Sequence, residues 1–430
     1  MREHLIIKLH KPVSGQFSSW QQLIHDKSSP QFSLAADVDS ILEKNQVPVW
    51  VTHEYEKAKK SGWSPTEVKN GLNRIYRLIL RNKASIPQSL VDQIALLPEV
   101  EYVRKFEIAS AELPKYEAHS VLNDQFPQRA QEKIIKEAHR FTQGHPTIKV
   151  AVLDTDITAT HPELRHALLD GKDFVDIIDG QSDFVGDFLG FDNDPGDEVG
   201  HGTHVTGIIA ARGLHMPMGL SPRSKIIPVR VLGAMRKGDS VVGAGIVDNI
   251  NAGLKFAIDA KADIINMSLG IKHSGGGLPH KEVIDYAKDE GVTIVAAAGN
   301  DGRHQMYYPG ANPYVIAVGA LDTNGEIAPY STYGAHISFV APGTNIYSTY
   351  LENKYAYSSG TSQAAPFVTA LIALMKSYAK KRDKALSDSS IKKLLMLTAD
   401  RKTRKLKEMK TGFGAVNPVD ALKLLDYKLN

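Results

Sequence analysis

Ile148-Lys149-Val150-Ala151-Val152-Leu153-Asp154 is the stretch on which the fold turns. It is a nearly unbroken apolar run that ends in a carboxylate. A strand with one wet face alternates polar and apolar residues, so a continuous run indicates burial on both faces. Residues 226–231, 264–267, 292–297 and 314–318 have the same texture. Helical stretches separate them, at 203–211, 244–260, 280–290 and 362–379. Buried strands alternating with helices predict an α/β fold with a doubly wound, mostly parallel sheet. In such a sheet, functional groups gather at the carboxyl ends of the strands. Asp154 stands at one of those ends, although an isolated aspartate there is as readily explained by a turn or a helix cap.

Upstream the texture differs. Short strand-like runs at 4–8, 47–52, 73–80 and 100–108 alternate with helical ones at 34–44 and 89–97. Residues 1–111 therefore read as a small α+β domain. Residues 112–128 are polar, contain Pro114 and Pro127, and read as a linker to a catalytic domain at 129–430.

Composition narrows the function classes. A net charge of +3 over 430 residues, with no long basic block, gives no footing for nucleic acid. The local basic run 401–410 reads as a solvated face. There is no cysteine, which excludes thiol catalysis, cysteine-held metal and disulfides. The first ten residues lack the basic start and apolar core of a secretory signal, and no window is apolar enough for a membrane span. The expectation is a soluble chain without a legible export signal.

Two further motifs join Asp154. Gly200-His201-Gly202-Thr203-His204 leads into an apolar helix, and the flanking glycines leave the His201 imidazole uncrowded. His201 and His204 could share a helix face as metal ligands, but no H-E-x-x-H pattern supports that. Ser359-Gly360-Thr361-Ser362-Gln363-Ala364-Ala365-Pro366 opens another helix. A serine there has free backbone N–H groups beside it, useful when its attack creates an oxyanion, although simple N-capping is the plainer role. A serine hydroxyl needs a base, and a histidine base needs a carboxylate to hold its tautomer. Asp154, His201 and Ser362 supply that set in the chain order found in subtilisin.

With H-G-T-H-V-x-G and G-T-S-x-A-x-P in one chain, the sequence resembles the subtilases over about residues 134–425. The resemblance implies a serine endopeptidase acting on protein or peptide substrates, with Asp154, His201 and Ser362 as triad. Ala296-Ala297-Ala298-Gly299-Asn300 is similar to the segment whose asparagine donates to the oxyanion, which gives Asn300 that role. Ser268, Leu269 and Gly270 resemble the substrate-pairing strand. With Ala298 and Gly299 they are expected to wall the primary specificity pocket. Tyr307 falls where the family often has glycine, implying a shallow pocket for small side chains.

The resemblance implies no cofactor for the chemistry. It offers Ca2+ as a structural ion in the acidic loop 187–197, with Asp192 and Asp194 as ligands; a solvated acidic loop is the alternative. A second calcium loop of the family, at 213–218, lacks side-chain oxygens here. Asp156 replaces the glycine usual two residues after the catalytic aspartate and is expected to crowd the turn and disturb titration nearby. Residues 97–103 resemble the last strand of a subtilase propeptide, so the N-terminal domain is expected to act as an intramolecular inhibitor or folding chaperone. Any processing is expected between residues 109 and 117. Such propeptides carry acidic groups near that strand; here Arg104 and Lys105 follow it, which predicts weakened docking.

Overall fold

The computed structural model describes residues 3–15, 17–25, 32–82, 85–111, 118–119, 129–175, 197, 199–237, 240–272 and 278–430. Its centre is a seven-stranded, wholly parallel sheet. The strand order is Ile337–Pro342, Ile316–Leu321, Thr293–Ala297, Ile264–Met267, Lys149–Asp154, Lys225–Arg230, Lys172–Asp173. The strand 149–154 is thus interior, as its apolar run requires, and Asp154 emerges at its carboxyl end.

Helices cover both faces. His201–Ala210, Thr361–Lys380, Asp388–Thr398 and Pro418–Leu429 share one core with the sheet, and Val247–Asp259 and Lys281–Asp289 share another. Nearly every residue of 361–380 is buried, which matches a helix apolar on all sides.

Near the N-terminus, four antiparallel strands form a second sheet in the order Val49–His53, Ile75–Leu80, His4–Leu9, Val100–Lys105. The period of two decides what each face does. Leu5, Ile7 and Leu9 pack with helices Ala36–Lys44 and Gln88–Ala95. His4, Ile6 and Lys8 face the other way, toward helices 247–259 and 281–289. Ile6, Ile75 and Ile79 join the core beneath those helices. Around them run polar links: His4 Nε2 to Asp248 Oδ2 at 2.8 Å, Lys8 to Glu282 at 2.9 Å, Arg77 to Asn249 at 2.9 Å and Lys255 to Glu67 at 2.7 Å.

Two sequence expectations need correction. The strand expected over 100–108 is two strands. Val100–Lys105 belongs to the N-terminal sheet. After Phe106 and Glu107 the chain passes to the large body, where Ile108–Ala111 pairs antiparallel with Ser240–Ile246, aligning Ala111 with Gly243 and Ala109 with Gly245. The helix expected from residue 244 starts at Val247, because Ser240–Ile246 is a strand paired with Gly233–Lys237. Gly245 lets this strand pack close: a Cβ there would lie 2.0 Å from the Val231 carbonyl oxygen. Within the expected linker, Ala118–His119 pairs with Tyr355–Ser358; its other residues lie outside those described.

Arg104 does not weaken the contact between the two parts. Asp248, in the first turn of helix 247–259, supplies the carboxylate, and Arg104 meets it at 2.5 Å. Burial disfavours the charge on Asp248, but Arg104 and His4 outweigh that and hold its carboxyl below the usual range. The acid that favours a helix N-terminus thus sits on the helix itself, and the N-terminal sheet supplies the base.

Candidate active site

Asp154 and His201 meet because a strand end and a helix start are packed without an intervening side chain. Gly202 makes that approach possible: a Cβ at this position would sit 2.1 Å from the Asp156 carbonyl oxygen and 3.1 Å from Asp154 Cβ. Gly200, at φ +83°, turns the chain into the helix. His201 Nδ1 lies 2.6 Å from Asp154 Oδ1, and both side chains are fully buried. The Thr155 N–H donates to the same carboxylate oxygen at 2.8 Å. Nδ1 therefore carries the proton, and Nε2 is left as the basic nitrogen. Among the described residues Nε2 has no hydrogen-bond partner.

Ser362 is the second residue of helix 361–380. Its Oγ donates to the Ser268 carbonyl at 3.1 Å, and Ser268 Oγ donates back to the Ser362 carbonyl at 2.8 Å. The hydroxyl is therefore engaged with the neighbouring strand end rather than with His201. Asn300 follows Gly299, whose φ is +103°. Asn300 Oδ1 accepts from Thr361 N–H at 2.9 Å and from Thr361 Oγ1 at 3.0 Å. These contacts fix the amide so that Nδ2 is the end offered elsewhere. Thr361 was not singled out in the sequence, although it stands inside the serine motif; its signal was position rather than chemistry.

A cavity of about 280 Å³ opens beside Ser362. Ser268, Leu269, Gly270, Gly299, Asn300 and Tyr307 line it, and Ala111 reaches its edge from the N-terminal region. Ala298 does not line it. That residue is buried in the core and its N–H bonds to the Val318 carbonyl at 3.0 Å, while its neighbours Ala297 and Gly299 face the cavity. The Tyr307 ring packs against Gly299, where a Cβ would come within 2.4 Å of it. Lys272 bridges to Asp301 at 2.6 Å and lies 5.4 Å from the Tyr307 ring centroid. Burial pushes the Tyr307 hydroxyl up to about 12.

His204 is not a metal ligand through Nε2. That nitrogen faces the Ile346 and Ala356 carbonyls, each at 3.1 Å, which requires it to carry a proton. Burial lowers its pKa to about 4, so the ring is neutral. Asp156 takes a φ of +87°, and burial raises its carboxyl to about 8, with the charge of Asp197 adding to the shift.

Asp192 and Asp194 lie outside the described residues, so their relation to calcium is untouched by the structure. Asp197, the last acid of that loop, is described, and both of its oxygens already accept protein hydrogens. It does not fit a cation ligand. The loop at 213–215 directs N–H groups inward, onto Glu163, at 2.7 Å from Gly213, 2.9 Å from Leu214 and 2.6 Å from His215. A carboxylate holds this loop, and sequence reading missed it because Glu163 lies far away in the chain. Among the described residues no cluster of His, Asp or Glu could hold a metal ion, and no helix is long and apolar enough to cross a membrane.

A buried imidazole–carboxylate pair at the carboxyl end of one strand and a helix-borne serine beside the end of another are the parts that a serine hydrolase requires. The Subtilase family matches residues 145–415, and the chain belongs to that family. It is 37% identical over 269 residues to the major intracellular serine protease of Bacillus subtilis (strain 168), covering 60% of this chain and 78% of that protein. It is 34% identical over 255 residues to thermitase of Thermoactinomyces vulgaris, covering 59% and 81%. Among solved structures, the prenylagaramide maturation protease PagA aligns with a TM-score of 0.55 and 25% identity, over 68% of this chain and 98% of that one. The protein is a subtilisin-like serine endopeptidase, a class that needs no cofactor for its chemistry.

Proposed function

We propose that Asp154, His201 and Ser362 form the catalytic triad and that Asn300 Nδ2, with the Ser362 backbone N–H, binds the oxyanion. The 2.6 Å contact between His201 Nδ1 and Asp154 Oδ1 carries this reading. A substrate strand would pair with residues 240–246 on one side and 268–270 on the other. Its N–H would take the Ser268 carbonyl, releasing Ser362 Oγ to turn to His201 Nε2. His201 then accepts the hydroxyl proton as Oγ attacks the peptide carbonyl. The oxyanion draws its donors, and His201 returns the proton to the departing amine. Water hydrolyses the acyl-enzyme by the same steps. Tyr307, held by Lys272 and Asp301, shortens the specificity pocket and favours small side chains before the cut.

Residues 1–111 serve, on this reading, as an intramolecular inhibitor and folding aid. Support comes from Ile108–Ala111, which pairs with the same strand that a substrate would use and ends at the cavity edge. Self-cleavage would follow just beyond Ala111. Mass spectrometry of wild type beside Ser362→Ala tests both parts: a trimmed N-terminus is expected in wild type alone. Identical termini in the two proteins would remove the self-processing claim.

A second reading has a permanent N-terminal region over a latent site. The shared core, the Arg104–Asp248 ion pair and the buried His4–Asp248 hydrogen bond between the two parts favour it. Fluorophosphonate labelling of full-length and trimmed protein separates the two. Labelling after trimming only identifies a latent enzyme, and labelling of neither form would discard the triad.

A further inference from the structure

We propose that Asp197 is a positioning residue that sets the orientation and basicity of His201 and couples it to Asp154. The inference rests on the triad reading above. His201 is the first residue of its helix, and the cap position, Gly200, offers no side chain to the free N–H groups of the first turn. Asp197 supplies the missing acceptor from outside the helix. Its Oδ1 accepts from Gly200 N–H at 2.8 Å and Val199 N–H at 3.1 Å, and its Oδ2 from Thr203 N–H at 3.0 Å and Thr203 Oγ1 at 2.7 Å. The residues bonded to it therefore lie on both sides of His201.

The fifth donor extends the link to the other half of the dyad. Thr155 Oγ1 donates to Asp197 Oδ1 at 2.8 Å and accepts from Gly202 N–H at 3.0 Å. The Thr155 backbone N–H holds Asp154 Oδ1, the oxygen that faces His201. One carboxylate thus ties the end of the strand to the start of the helix, through groups adjacent to both members of the dyad. Among the described residues no cation pairs with Asp197. Its charge is met by amide and hydroxyl dipoles and by the positive end of the helix. Burial pushes the Asp197 carboxyl above its usual range while its donors favour the charged form, and a negative charge at this helix start favours the imidazolium that forms during the reaction.

An asparagine at this position keeps the shape but removes the charge, and turns two hydrogens toward donors. In Asp197→Asn, with active sites counted by fluorophosphonate labelling of the full-length chain, kcat per site should fall about 10- to 100-fold with KM within about twofold. The midpoint of the acid limb of kcat/KM should move to lower pH. Thr155→Val, which cuts only the bridge, should lower kcat less and leave the midpoint in place, while Thr203→Ser retains both. A residue needed only for folding would reduce the number of labelled sites but leave kcat per site and the midpoint at wild-type values; that result overturns the proposal. If Asp197→Asn yields no folded protein, Thr155→Val decides: unchanged kcat per site refutes the coupling. Failure of the wild type to label in either its full-length or its trimmed form would instead sink the triad assignment, and this inference with it; where only the trimmed form labels, sites are counted on that form.

Discussion

The docking face of the N-terminal sheet and the cleft beside Ser362 lie on one molecule and use buried polar groups in opposite ways. On the docking face carboxylates find partners from across the contact: Asp248 meets Arg104 and His4, Glu282 meets Lys8, and Glu67 meets Lys255. In the cleft, polar atoms are oriented but left short of partners. His201 Nε2 has none among the described residues, and Ser362 Oγ rests on a backbone carbonyl that a substrate could claim. Satisfied groups fix a geometry, whereas under-satisfied groups retain the capacity to react. The strand Ile108–Ala111 leaves the first environment and ends in the second.

That contrast can be broken most forcefully at Asp248. Asp248→Ala leaves Arg104 and His4 facing each other without the carboxylate, and removal of one partner from a buried pair costs about 3–5 kcal/mol. The lower end is expected, since 34% of the Arg104 side chain remains exposed. Limited proteolysis should then release the N-terminal region sooner, with the melting of the large body little changed. Unaltered release would mean that the apolar core alone holds the two parts together.

In the cleft, Asn300→Ala should lower kcat by about 10²- to 10³-fold while KM stays close to wild type, as expected for a donor used only in the transition state. A change confined to KM would assign Asn300 to substrate binding instead.

Two pH experiments sharpen the comparison on a smaller scale. Asp156 has a folded-state pKa of about 8, raised by burial from an unfolded value near 3.8. The folded state therefore holds its proton more tightly, and this stabilisation, complete below about 3.8, is lost as pH rises through 8. Asp156→Asn, which also tolerates the positive φ, should raise the melting temperature at pH 9 and change it little at pH 4. A pH-independent gain would point to turn geometry rather than charge.

His4 runs the other way. Burial first, and the charge of Arg77 next, lower its pKa from 6.5 to about 4. Its contribution is present above 6.5 and is lost as pH falls through 4. Protonation would set a third cation beside Arg77 and Arg104, opposed by Asp248. The N-terminal region should become more sensitive to protease across that interval, and His4→Gln should flatten the change. An equally steep response in His4→Gln would transfer the effect to another group, His53 being the next to examine, since burial lowers it to about 4 as well.

Much of the cleft was legible before any coordinates. Short motifs carry it: Gly200-His201-Gly202 must turn sharply and pack close, and Gly299-Asn300 and Gly360-Thr361-Ser362 must present polar groups at the ends of elements. Backbone geometry constrains such residues locally, so the constraint appears in the local sequence. The parallel sheet was legible for a similar reason, since burial on both faces leaves unbroken apolar runs.

Long-range pairing leaves no such trace, and there the reading faltered. Nothing near Arg104 announces Asp248, and nothing near Gly213 announces Glu163. Asp197 looked like one more acid in an acidic loop until its five donors were located. The sequence by itself determined the class of chemistry, that of a serine endopeptidase, because the proposed nucleophile, base and oxyanion donor are residue types set in short, sterically demanding turns. Only the tertiary structure decided which charges meet across the N-terminal region, where residues 108–111 run, and which donors surround Asp197, because a side chain's partner depends on which distant surface the fold brings against it.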